Sequence, residues 1–191
     1  MADDLSFPTA PDRLPKVSSE ERAALGRERW HEQVEKLEDP AVVAFARELI
    51  EEPSGRGLLD AIFANSDFLT HCVLSDIGFL ARLLKQGPEA VLSQVLVRLK
   101  AELSAEPERT RLMAELRIAK RQVALTVALA DLTGHWPLEN VTQGLSDFAD
   151  AALSAALAHL LGVLAARGEL VPKHAGAPLD QCGYVILAMG K

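Results

Sequence analysis

The feature that most constrains this chain is a run of helical periodicity more than a hundred residues long, cut by paired stop and start signals and closing on one compact apolar segment. Apolar residues recur at three- and four-residue spacing from Leu25 to Leu164. The breaks between them carry cap and turn chemistry. Asp39-Pro40 is an N-cap followed by proline at the first helical position, with Val42, Val43, Phe45, Ala46, Leu49 and Ile50 as the buried stripe. Ser18 with Glu21 reads as a capping box ahead of a mostly polar helix through Leu25, Trp30, Val34 and Leu37. Short helices are expected at Leu58–Phe63, Phe68–Leu74 and Ile77–Leu84, with Asn65-Ser66-Asp67 capping the second and Ser75 the third. Gly87-Pro88 stops one helix and starts the next, whose stripe is Val91, Leu92, Val95, Leu96, Leu99 and Leu103. Short helices joined by tight turns predict a globular unit rather than a rod.

Two longer patterns follow. Arg111 to Leu132 is charged in its first half and apolar from Val123 to Ala130, so one end faces water or charged partners and the other is buried. Asp131-Leu132-Thr133-Gly134 closes it, with Asp131 read first as a turn initiator and, as the alternative, as the partner of a basic residue near Arg121 or of Lys191. After Pro137, Ser146 reads as a cap for an Ala/Leu helix over Phe148–Leu164, so poor in charge that packing on most sides is expected. Residues 1–16, with Pro8, Pro11 and Pro15, form an extended arm, flexible or laid along a surface. The loop 167–182 feeds Tyr184-Val185-Ile186-Leu187-Ala188-Met189-Gly190-Lys191, which predicts a buried strand bringing a glycine turn to a site.

Composition narrows the function classes. A formal charge of −7 over 191 residues argues against a generally basic surface for coating nucleic acid, although a local basic patch is compatible with it. Cys72 and Cys182 lack disulfide or zinc spacing, and the acidic start, Asp3-Asp4, is unlike a secretory signal. Both point to reduced thiols in a cytoplasmic protein. The most membrane-like stretch, residues 151–166, falls short of the roughly 20 residues a span needs. His31, His71, His135, His159 and His174 show no ligand spacing, so no metal site is expected within the chain. Gly190-Lys191 also ends a P-loop, but that motif needs a glycine where Val185 stands.

Three stretches together resemble one family. They are Phe63-Ala64-Asn65-Ser66-Asp67-Phe68-Leu69; Leu116–Gln122 running to Asp131-Leu132-Thr133-Gly134 and on through Leu145–Asp150; and Val185–Lys191. In order and spacing they are similar to the glutamine synthetase adenylyltransferases, bacterial enzymes that attach AMP to a glutamine synthetase tyrosine and remove it. The resemblance covers residues 58–191. One departure is Ala130, where many members carry a basic residue.

The resemblance implies a mainly α chain: a helical region over 17–106, then, over 107–191, the first helices and first β-strand of an incomplete α/β nucleotidyltransferase domain. It points to the deadenylylating half, with the acidic magnesium ligands beyond Lys191, hence no catalytic residue in this chain and no activity of the chain alone. It further implies Mg²⁺, ATP/ADP, glutamine, a PII-type signal protein and glutamine synthetase as cofactors and partners, without nucleic acid or membrane. The residues expected near nucleotide or substrate are Gly190, Lys191, Arg117, Lys120 and Arg121, the last three sharing a helix face at i, i+3 and i+4. For those three, a solvated face or salt bridges to Glu108 and Glu115 is the plainer reading. The rival for the whole chain is a non-catalytic helical interaction module or a degenerate remnant of the same family.

Overall fold

The computed structural model describes residues 13–104, 108–171, 173–174 and 183–187. Among them are eight helices: α1 (Glu20–Val34), α2 (Pro40–Glu51), α3 (Pro53–Asn65), α4 (Asp67–Ser75), α5 (Ile77–Gln86), α6 (Pro88–Ser104), α7 (Arg109–Leu132) and α8 (Leu138–Ala166).

Local chemistry sets most of the boundaries. The Asp39 carboxylate accepts the Ala41 N–H at 2.8 Å and Pro40 opens α2. Ser66 caps α4 through the Leu69 N–H at 3.2 Å. Gly87 ends α5 at φ +83°, ψ 161°, a region closed to side chains with a Cβ, and Pro88 begins α6 at once. Two caps fall one residue later than the sequence suggests. Ser19, not Ser18, caps α1, because the Ser18 hydroxyl is used to donate to the Ala64 carbonyl at 2.8 Å. Asp76, not Ser75, caps α5, its carboxylate accepting the Phe79 N–H at 2.8 Å. A carboxylate beside the positive helix end is the stronger cap of the two.

One buried cluster runs from Trp30 on α1 through Phe63 on α3, Phe79 on α5 and Val123 on α7 to Trp136. α1 lies close on α3 because Gly26 meets the Phe63 ring: a Cβ built at Gly26 would stand 2.3 Å from Phe63 Cγ. α6, α7 and α8 form a three-helix layer, and α7 also contacts α4, joining that layer to the short helices. Of the proposed arm, residues 1–12 lie outside the described residues, and residues 13–16 run along the surface. There Asn65 Nδ2 donates to the Lys16 carbonyl at 3.1 Å and Arg13 Nη1 to that of Gly134 at 3.3 Å, while Leu14 packs on the core.

Three expectations are corrected. The first β-strand is not formed: among the described residues no strand occurs, and Tyr184, Val185, Ile186 and Leu187 are exposed. A strand exists only where a neighbour takes its N–H and C=O groups, and the described residues offer helices alone. Ala188, Met189, Gly190 and Lys191 lie outside the described residues. Second, Ser146 starts nothing. α8 is continuous from Leu138 and 29 residues long, so by length and composition it is long enough to cross a membrane, and the shortness argued from Ala151 does not hold. Third, α8 is not packed on most sides. Only Gly144, Ala151, Ala155 and Leu161 are buried, while Leu138, Leu145, Leu153 and Leu160 stay exposed on another face.

Candidate functional site

α7 carries the expected substrate-facing residues, and its two halves differ in kind. From Ala119 onward it buries Gln122, Val123, Leu125, Thr126, Val127, Leu129 and Ala130. Ala130 is fully buried, which fits the absence of a basic side chain there, since a lone ammonium or guanidinium would lose its hydration. Residues 108–121 hold five cations against two carboxylates in a chain that is otherwise acidic, and α8 carries Glu139, Asp147 and Asp150 without a cation.

Arg117 and Lys120 are exposed and Arg121 is half-buried. Of the two plain readings, salt bridges to Glu108 and Glu115 do not form among the described residues, while the exposure of Arg117 and Lys120 fits a solvated face. Glu115 instead meets Arg98 of α6, Nε to Oε2 at 3.7 Å, and none of the three cations makes an ion pair among the described residues. Two cations of α1 are placed otherwise: Arg27 holds Asp60 and Glu20, each at 2.7 Å, and Arg22 holds Asp67 at 2.6 Å.

Beneath this face lies a polar relay, centred on the buried Gln122, that sequence reasoning missed. Gln122 accepts from Arg98 Nη2 at 2.8 Å and donates through Nε2 to Asp76 Oδ2 at 3.1 Å, while the other Asp76 oxygen caps α5. The relay ties α6, α7 and the start of α5 together at one point. Its signal was present in the sequence, because Gln122 shares the spacing of the buried Ala119, Val123 and Thr126. Gln122→Leu is expected to cost about 1–2 kcal/mol, because it strands a carboxylate and a guanidinium that are partly withdrawn from water. Urea midpoints check this, and a variant as stable as the parent would show that water replaces the amide.

Beside the relay a cavity of about 10 Å³ is lined by Cys72, Asp76, Phe79, Arg121 and Gln122. That is room for about one water and far too little for a phosphate. Burial pushes the Cys72 thiol up, and the nearby Arg121 charge offsets only part of it, so the thiol stays protonated and unreactive. Arg82 of α5 lies over the Phe79 ring, 5.6 Å from its centre. Asp131 is exposed at the end of α7, where its carbonyl accepts the Gly134 N–H at 2.9 Å. Gly190 and Lys191 lie outside the described residues. Among the described residues no three His, Cys, Asp or Glu side chains are grouped to hold a metal.

Residues 57–191 match the glutamate-ammonia ligase adenylyltransferase family, which is more than half of the chain. The chain belongs to that family. A bifunctional glutamine synthetase adenylyltransferase/adenylyl-removing enzyme of Bradyrhizobium diazoefficiens is 36% identical over 185 residues, 97% of this chain and 18% of its own length. Its counterpart in Bradyrhizobium sp. strain BTAi1 is 34% identical over 177 residues, 93% of this chain and 18% of its own. That of Xanthobacter autotrophicus is 38% identical over 143 residues, 75% of this chain and 14% of its own. The chain thus spans less than a fifth of the length of these curated relatives. No solved structure matches it.

Proposed function

We propose that this chain is part of a cytoplasmic enzyme that adenylylates and deadenylylates glutamine synthetase, and that it comes from the half that removes AMP. The observation that carries the reading is the family match from residue 57 onward, together with identity to the Bradyrhizobium diazoefficiens enzyme along nearly the whole chain. By the resemblance, that enzyme uses Mg²⁺ and ATP/ADP, and answers to glutamine and a PII-type signal protein. Residues 17–106 and 107–191 are then its helical region and the start of its first nucleotidyltransferase domain. Phosphoryl-type chemistry needs a divalent cation held by carboxylates, and the described residues supply no such group. The part assigned to these helices is therefore support and partner contact, and the 191-residue chain alone is catalytically silent. We assign α8 to contact with protein rather than lipid: α6 and α7 pack along one face, and a protein of the relatives' length has further chain to cover its exposed leucines.

The reading is tested in the organism and in the tube. Disrupting the gene is expected to stop glutamine synthetase from switching its AMP adduct between nitrogen excess and starvation, as read by subunit mass. Normal switching would overturn the assignment. Purified chain, adenylylated glutamine synthetase, phosphate and Mg²⁺ are expected to yield no ADP above blank, and any metal-dependent release would overturn the silence.

A further inference from the structure

We propose that the outer face of the first half of α7, with Arg117, Lys120 and Arg121 at its centre and Met113 beside them, is a docking surface for an acidic polypeptide segment. The inference is drawn from charge and shape, and does not depend on the proposed enzyme.

The first ground is charge left over. Glu115, the carboxylate within reach along the helix, is directed to Arg98, so Arg117, Lys120 and Arg121 have no ion-pair partner among the described residues. Cations at i, i+3 and i+4 project from one face of a helix. Met113, four residues before Arg117, adds an exposed apolar contact to the same face. The second ground is rigidity. The Gln122 relay fixes α7 directly beside the patch, and Arg121 is half-buried against the cavity that Phe79 and Cys72 line. Cations held on a fixed helix lose less entropy on binding than those on a loop.

Shape decides among anionic ligands. The cavity that Arg121 lines has a volume of about 10 Å³, so this convex face cannot enclose a nucleotide phosphate. A nucleic acid needs a longer track of cations than these three, and the chain as a whole carries a formal charge of −7. A short segment with carboxylates at helical spacing around an apolar residue needs only this patch, and guanidinium–carboxylate pairs are its natural contacts.

The test is a fluorescence-anisotropy titration of the full chain with a labelled helical peptide carrying Glu at i, i+3 and i+4 around one Leu. The Gln-for-Glu version of that peptide and a DNA oligonucleotide of equal charge serve as comparison probes. The Glu peptide is expected to bind at least tenfold more tightly than the Gln peptide. Arg117→Glu with Arg121→Glu is expected to remove that difference and to bind the corresponding Lys peptide instead. Arg29→Glu with Lys36→Glu, on exposed positions of α1 and its end, is expected to change nothing. Should the double reversal on α7 lower thermal stability, Arg117→Gln with Lys120→Gln is the substitute, with at least a threefold loss expected. Equal binding of Glu and Gln peptides, equal losses from the α1 and α7 pairs, or tighter binding of the DNA would each overturn the proposal. Because the readout is binding by the chain itself, its outcome is separate from that of the gene disruption.

Discussion

Truncating Trp30 to alanine is expected to destabilise the fold by about 3–5 kcal/mol, the range for a large aromatic removed from a packed core. The side chain has no exposed surface, and its indole N–H reaches the Ala46 carbonyl at 3.3 Å, so α1 loses both its anchor and its polar link to α2. Domains of ordinary stability unfold at about 5–15 kcal/mol, so the loss removes a large share of the total. Urea unfolding followed by far-ultraviolet circular dichroism gives the value, with Trp136 as the remaining fluorescent reporter. Trp30→Phe keeps most of the buried area and is expected to recover more than half of the loss. A change below about 1 kcal/mol for the alanine variant would contradict the burial of Trp30 described here.

Gly26→Val is expected to cost about 3 kcal/mol or more, at the upper end for overpacking. A Cβ at this position would stand 2.3 Å from Phe63 Cγ and 2.5 Å from Phe63 Cβ. Phe63 is itself buried, and those atoms are too near its backbone to swing aside. Glycine is a poor helix former, so a valine here would gain a few tenths of a kcal/mol in propensity if nothing opposed it. The sign of the measured change therefore separates close helix approach from propensity. Adding Phe63→Ala should return part of the loss, and the coupling follows from the double-mutant cycle. Additive effects of the two substitutions would mean that α1 and α3 do not meet at this pair.

The family, the helical class and most helix boundaries were legible in the residues, because caps and stops are local. Asp39-Pro40, Ser66 and Gly87-Pro88 act on backbone groups within a few positions. The same locality explains two near misses. Ser18 and Ser19 are equally good caps, and only the long-range pull of the Ala64 carbonyl on Ser18 selects Ser19. α8 was harder, since Ala and Leu cover it nearly all round and periodicity cannot name the buried face. For the candidate site, Arg117, Lys120 and Arg121 could be read as one face, but that none of them forms an ion pair among the described residues could not.

What the sequence determined alone is where most helices begin and end, because each closes its hydrogen bonds within four residues. What the tertiary structure decided is everything that needs a second segment. The apolar run at Tyr184–Leu187 forms no strand among helices, as its backbone groups need a neighbouring strand. Glu115 is assigned to Arg98 rather than to α7's own cations, and Gln122 becomes a buried link between two charges. Those pairings join residues tens of positions apart, and the distances between them are set by packing.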